Sequence, residues 1–213
     1  MDATRFRARF DPLQTSPEAL GTVYNSENDT HRSHMINLED ARNPVKELIE
    51  NSLSSFASEK SDVTWCTFAL YACPWSGWIM TSFDTEAKSA QIVAKFGKNG
   101  PDWYGEDAWG RFSNNCPDFQ FHDWRDLELP HWQTEYEEAE PIHVRDLSGQ
   151  DHFIGDENEA INGLAFDFLR TVLLDQLSSM KKSPFFPAAR HHFGVQLLDS
   201  EFSQFWRSQD INS

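Results

Sequence analysis

Histidines and carboxylates, the side chains best suited to metal and acid–base chemistry, recur together in the middle of the chain. His122, His131 and His143 lie near Glu135 and Glu137, which would share one face of a strand. Imidazole and carboxylate bind zinc or iron, and two carboxyls in different environments can act as general acid and base. No two of these histidines have the HxH or HxxxH spacing that places both rings on one face. A metal-dependent or acid/base hydrolase using these residues is therefore an alternative hypothesis, and we expect no bound metal or cofactor.

Motifs for a nucleophilic side chain are incomplete in the sequence. A nucleophile elbow around Ser76 would need glycine two residues earlier, and Pro74 occupies that position. Cys116 is the one cysteine outside the apolar segment described below, and nothing near it in sequence selects a histidine to activate it. Phosphate-binding loops of the GxxxxGK[ST] and GxGxxG types are absent from the sequence. The sequence favours a non-catalytic protein over an enzyme.

Aromatic and acidic residues are interleaved between residues 100 and 140. Large aromatic anchors surrounded by charge are typical of protein-binding patches. The same aromatics would also suit a hydrophobic core, and the sequence leaves these two interpretations open. On the binding interpretation, the predicted partner-binding residues are Trp103, Trp109, Asp118, Asp123, Trp124, Glu135, Glu137 and Glu138.

The chain has a formal net charge of −16, and its acidic excess is concentrated in residues 84–160. Such a field repels nucleic-acid phosphates and anionic membranes, and it attracts basic proteins. An acidic surface also keeps many soluble proteins dispersed without any specific role. We expect a basic protein as partner, with no binding to nucleic acid or membrane, while the oligomeric state stays open.

The cysteines and the distribution of apolar residues bear on the cellular compartment. Cys66, Cys73 and Cys116 are odd in number and lack CxxC spacing, which is typical of buried, reduced thiols. The arginine-containing N-terminus is followed by no apolar run of signal-peptide length, and the sequence has no apolar stretch long enough for a transmembrane span. The sequence therefore predicts a cytoplasmic protein.

The segment from Val63 to Phe83 has the densest apolar and aromatic content in the chain. Its first half alternates with a two-residue period that leaves both faces apolar, which indicates a strand covered on both sides. Pro74 and Gly77 supply the fixed φ and the positive φ that a tight turn uses. The pattern predicts a central β-hairpin at about 63–83, which other elements must cover because a hairpin is not stable alone in water.

Helical periodicity places the covering helices at about 44–58, 86–96 and 157–182. Asn43 and Pro44 have the residue types of an N-cap followed by proline at the first helical position. The predicted fold class is α+β, a single domain with a mostly antiparallel sheet built on the central hairpin.

Shorter elements complete this prediction. Alternating residues at 119–122 and 131–137 predict strands that pair with the hairpin, and the apolar run 193–198 predicts a last strand. Phe202, Phe205 and Trp206 have helical spacing, which predicts a short closing helix. Residues 1–40 are polar and aperiodic, so we expect a flexible N-terminal arm followed by one domain at 41–213.

The order of elements resembles an uncharacterised bacterial family, a domain of unknown function often encoded near polymorphic-toxin immunity genes. The resemblance lies in the segments 65–71, 132–136, 166–170 and 193–200, and it spans roughly residues 42–207. It implies an α+β domain and an immunity-type role, and it transfers no active-site residues. Together with the charge, it favours a protein that neutralises a basic toxin; an uncharacterised structural or regulatory domain is the other alternative.

Overall fold

The structure, a computed structural model, describes residues 35–96, 113–132, 142–154, 158–180 and 191–208. The helices in this part of the chain are α1 (Leu38–Glu59), α2 (Glu86–Phe96) and α3 (Asn158–Met180). The strands are β1 (Met35–Asn37), β2 (Thr67–Cys73), β3 (Trp78–Asp84), β4 (Phe121–Glu128), β5 (Ile142–Arg145), β6 (Asp151–Ile154), β7 (His192–Leu197) and β8 (Ser203–Arg207). Two short 3₁₀ helices lie at Cys116–Asp118 and Pro130–Trp132.

β2 and β3 form the predicted hairpin inside a five-stranded sheet with the strand order β4-β3-β2-β7-β8. They pair from Thr67 opposite Asp84 to Cys73 opposite Trp78, and Gly77 completes the turn with a φ of 69°. Every pairing in this sheet is antiparallel except that of β2 with β7. The predicted α+β fold, with a mostly antiparallel sheet built on this hairpin, is confirmed.

α1 and α3 cover one face of the five-stranded sheet. Phe56 of α1 stacks on Phe83 of β3 with 4.0 Å between ring centroids, and Phe168 and Leu173 of α3 belong to the same buried cluster. Burial of one such side chain contributes roughly 1.5–3 kcal/mol. The hydroxyls of Ser52 and Thr81 meet at 2.9 Å within this interface, so its polar atoms are also paired.

α1 begins at Leu38, earlier than the prediction of a start near Pro44. The N-cap is Asn37, whose side chain accepts a hydrogen bond from the backbone N–H of Glu39 at 3.3 Å. Pro44 lies inside the helix, where it removes one backbone donor. The apolar stripe explains this, because Leu38 and Ala41 extend it before the proline and both are buried.

The opposite face of the five-stranded sheet, here called the second face, is covered by the segment 113–120. Phe119 and Cys116 pack there with Ala69 and Phe205. Gln196 holds the segment in place, since its Oε1 accepts a hydrogen bond from the backbone N–H of Cys116 at 2.7 Å and its Nε2 donates to Asn115 Oδ1 at 3.1 Å.

β1, β5 and β6 form a separate three-stranded sheet. β1 runs parallel to β5, and β5 forms an antiparallel hairpin with β6. Ile36 and Val144 are opposite each other in register and are buried in the main core, whereas Phe153 on β6 is 72% exposed. Residues 35–40, which the sequence places in the N-terminal arm, form β1 and the start of α1; the rest of the predicted arm lies outside the described residues.

The prediction of a closing helix through Phe202 and Trp206 is wrong, because residues Ser203–Arg207 form strand β8. β8 pairs antiparallel with β7 after a turn in which Asp199 has a φ of 49°. Aromatic residues fit a strand as well as a helix, and the pairing available at the free side of β7 decides between them. In the predicted strand 131–137, Pro130–Trp132 is a 3₁₀ helix, and residues 133–140 lie outside the described part of the chain.

Candidate functional site

Of the predicted partner-binding residues, Asp118, Asp123 and Trp124 lie in the described part of the chain. The other five lie outside it: Trp103, Trp109, Glu135, Glu137 and Glu138. Asp123 and Trp124 are neighbours on β4, an edge strand of the five-stranded sheet. Asp118 lies apart from them in a 3₁₀ helix, where its carboxylate accepts a hydrogen bond from Asn115 Nδ2 at 2.7 Å.

Trp124 is half-buried between β4 and α1. Its ring packs edge-on against Phe56 with 5.0 Å between centroids, and its Nε1–H donates to Ser55 Oγ at 3.0 Å. Both the apolar body and the polar atom of the indole are therefore engaged by α1. Trp124 forms a wall of the surface between these two elements, which makes it neither a fully buried core residue nor a freely exposed anchor.

An irregularity in β4 turns Trp124 towards α1. Thr81 and Phe83 of β3 are separated by one residue, whereas their partners on β4, Arg125 and Phe121, are separated by three. β4 therefore contains extra residues in this stretch. Asp123 has a φ of 57°, a left-handed conformation that aspartate tolerates better than most residues. A bulge of this kind bends a strand and redirects a side chain, and here Trp124 and Arg125 both reach Ser55.

A groove with a volume of about 720 Å³ runs between α1 and β4. Its charged lining residues are Glu47, Arg125 and Asp126, and the carboxylates of Glu47 and Asp126 form no ion pair or hydrogen bond with any described residue. The full lining, here called the α1–β4 groove, is Pro44, Glu47, Leu48, Asn51, Ser54, Ser55, Trp124, Arg125, Asp126 and Leu127.

The positive charge of Arg125 is held at the end of the α1–β4 groove. Its Nε donates to Ser55 Oγ at 2.8 Å, and its Nη2 lies 3.1 Å from Glu59 Oε1. Because Glu59 already pairs with this guanidinium, the charge available to a visiting ligand is that of Glu47 and Asp126. The groove therefore suits a cationic ligand.

Sequence reasoning missed the α1 side of this groove. Glu47, Asn51 and Ser54 are on the polar face of a helix, and the apolar periodicity identifies only the opposite face. No signal in the sequence pairs that polar face with β4, because the juxtaposition depends on the bulge near Asp123.

Two histidines of the hydrolase hypothesis, His122 and His143, lie on different sheets. His122 is exposed on β4, whereas His143 is on β5 of the three-stranded sheet, where its Nε2 lies 3.2 Å from Asp151 Oδ1. Arg145 also binds Asp151, and these contacts lower the pKa of that carboxyl. Among the described residues, no group of three or more His, Cys, Asp or Glu side chains is arranged to hold a metal ion.

The described cysteines are poorly suited to nucleophilic catalysis. All three thiols are buried, and none of them forms a disulfide within the described residues. Burial raises the pKa of Cys66 to about 12 and also raises the pKa of Cys116. A thiol reacts as its thiolate, so a raised pKa makes both residues inert near neutral pH.

Asp84 is a buried carboxyl outside the α1–β4 groove. It lies on the second face at the end of β3, with no exposed surface. Its Oδ1 accepts a hydrogen bond from the backbone N–H of Gln120 at 3.1 Å, whereas Oδ2 has no well-formed hydrogen bond within the described residues. Burial raises the pKa of this carboxyl. Thr85 is the residue that caps α2, through the backbone N–H of Lys88.

Comparisons with protein-family models, curated proteins and solved structures found no match for this chain. Within the described residues, no helix combines the length and apolar character needed to cross a membrane. The α1–β4 groove is thus the candidate site on its geometry and charge alone.

Proposed function

We propose that this chain is a non-catalytic protein-binding domain of the immunity type, which neutralises a basic toxin by binding it on an acidic surface. The observation that carries the proposal is the α1–β4 groove, whose carboxylates Glu47 and Asp126 have no partner among the described residues. Carboxylates left unpaired beside an open groove favour a cationic ligand.

The charge of the whole chain supports the same partner class. A net charge of −16 accelerates the encounter with a basic protein and disfavours association with acidic ones. Exposed Asp123 and Glu128 on β4 and exposed Glu50 on α1 add negative charge close to the groove. Trp124 contributes a rigid aromatic wall, a residue type enriched at binding hot spots.

The experiment compares three tagged baits in lysate of the native host. They are the wild type, the groove variant Glu47→Lys with Asp126→Lys, and the control variant Asp167→Lys with Glu201→Lys. The control makes the same change in charge at exposed positions outside the groove. We expect one basic protein to be recovered with the wild type and the control but not with the groove variant.

The recovered protein is then purified and tested for association and toxicity. Its association rate with the wild type should fall steeply as salt is added, because steering between exposed charges is screened beyond about 8–10 Å. Its toxicity in cells should be relieved by the wild type and not by the groove variant. Equal recovery by all baits, or an association rate that is insensitive to salt, would contradict the proposal.

A further inference from the structure

β4 is at one edge of the five-stranded sheet. It pairs with β3 on one side, and no described strand pairs with its other side. An edge strand presents a row of backbone N–H and C=O groups that another chain can pair with. Extended peptides bind to many proteins by adding a strand to such an edge.

The two halves of β4 differ in regularity. The first half contains the bulge near Asp123, which disrupts a ladder and disfavours an added strand. The second half is regular, because Arg125, Asp126, Leu127 and Glu128 oppose consecutive residues of β3. Only the second half is suited to strand addition.

The direction of the backbone groups in this half follows from one hydrogen bond. The N–H of Leu129 donates to the carbonyl of Gly77 at 2.6 Å. Antiparallel ladders alternate between hydrogen-bonded and non-hydrogen-bonded pairs, so Leu127 and Arg125 also point their N–H and C=O groups towards β3. The backbone groups of Asp126 and Glu128 therefore point outward, to the unpaired edge.

The α1–β4 groove runs beside the same residues. It is lined by consecutive β4 residues from Trp124 to Leu127 and faces α1. Asp126 and Glu128, whose backbone groups point outward, both carry exposed carboxylates. A strand added here would place its side chains beside these carboxylates, where opposite charges across strands are favourable.

We infer that the second half of β4 binds an extended, lysine- or arginine-containing segment of the partner as an added antiparallel or parallel strand. This inference rests on the proposed function and specifies how the partner is recognised. Backbone hydrogen bonds from Asp126 and Glu128 supply the pairing, and the carboxylates select a basic segment.

Amide hydrogen exchange, read residue by residue by NMR, tests the inference on the full chain. The probe is a synthetic peptide of alternating L-lysine and L-valine, about six residues long, the length of an average strand. The matched control has the same composition and charge but D-valine, which prevents a regular strand. In the free protein, the amides of Asp126 and Glu128 should exchange faster than those of Arg125 and Leu127, which are bonded to β3.

On addition of the L-peptide, exchange at Asp126 and Glu128 should slow by at least about tenfold, with no change at Arg125 and Leu127. The D-valine peptide should leave all four rates unchanged. Equal protection by both peptides, or binding of both without protection, would overturn strand addition while leaving charge-based binding intact. Binding by neither peptide would also overturn it, and the bait comparison decides the proposed function separately.

Protection of Asp126 and Glu128 in the free protein would overturn the inference in a different way. If that protection rises with protein concentration, a second copy of the chain occupies the edge. If it is independent of concentration, another segment of the same chain occupies it.

Discussion

Asp84 shows how a single buried carboxyl influences stability. Its pKa is raised by burial above the ordinary value of 3.8, so the folded state holds this proton more tightly than the unfolded state does. The contribution to stability is complete below the unfolded pKa and is lost as pH rises through the folded pKa. At neutral pH, the charged form is a cost to the folded state.

We predict that Asp84→Asn stabilises the protein at neutral pH, because it removes a carboxylate charge that burial disfavours in the folded state. The amide keeps an oxygen to accept the hydrogen bond from Gln120 and removes the buried charge. Urea unfolding of both proteins across pH 4 to 8 should show that the stability advantage of the Asn variant over the wild type grows with pH. Asp84→Ala, which removes the acceptor, should destabilise at every pH. A loss of stability in the Asn variant at neutral pH would show that the carboxylate is needed in its charged form.

Position 194 on β7 has room only for glycine, because the ring of Phe205 on β8 packs against it. A Cβ at position 194 would overlap the ring of Phe205. Gly194→Ala should therefore displace Phe205 from its packing with Phe119 and cost about 1–3 kcal/mol. Gly163→Ala on α3 is the control, because its Cβ would meet nothing closer than 3.6 Å. Thermal unfolding should separate the two variants, and equal stabilities would contradict the packing described here.

Gln196 connects two elements that are far apart in sequence, β7 and the segment 113–120. Replacing it with alanine leaves the backbone N–H of Cys116 without its acceptor on a buried face. A buried donor without a partner costs about 1–3 kcal/mol, so Gln196→Ala should lower stability by that amount. Faster amide exchange at Cys116 would locate the effect. Gln204→Ala, at an exposed site on β8, should change neither quantity.

At the level of elements, apolar periodicity predicts the long helices and strands correctly and fails for the short ones. The β2–β3 hairpin and the long helices α1 and α3 have apolar patterns long enough to distinguish strand from helix. β8 has five residues, too few to separate the two periods, and pairing with β7 determines its structure. The sequence predicts a start of α1 near Pro44 because proline is normally a terminal signal, whereas burial of Leu38 and Ala41 extends the helix towards its N-terminus.

The α1–β4 groove was beyond prediction from sequence for a different reason. Trp124 and Asp123 were identified by residue type, but their role depends on the bulge that turns Trp124 towards Ser55. A bulge is a consequence of pairing between β3 and β4 and has no distinct pattern in β4 itself. Sequence could identify the aromatic and acidic residue types of the site but not the surface that α1 contributes.

At the scale of the whole molecule, acidic charge has opposite effects on stability and on binding. A net charge of −16 destabilises the compact state through self-repulsion, while it attracts a basic partner. Glu47 and Asp126 add to that repulsion and form no compensating pair with described residues. If these two carboxylates serve to bind the partner, removing their charge should raise the free energy of unfolding and weaken association with the partner.

We therefore predict that Glu47→Gln with Asp126→Asn raises the free energy of unfolding at low salt by no more than about 1 kcal/mol, because exposed charges interact weakly. The gain should shrink as salt screens the repulsion, whereas association with the basic partner should weaken at all salt concentrations. The control pair Asp167→Asn with Glu201→Gln removes the same charge from exposed sites outside the groove. The control should show a comparable rise in the free energy of unfolding, measured with denaturant, and should still associate with the basic partner. A groove variant that unfolds more easily than the wild type would assign these carboxylates a structural role instead.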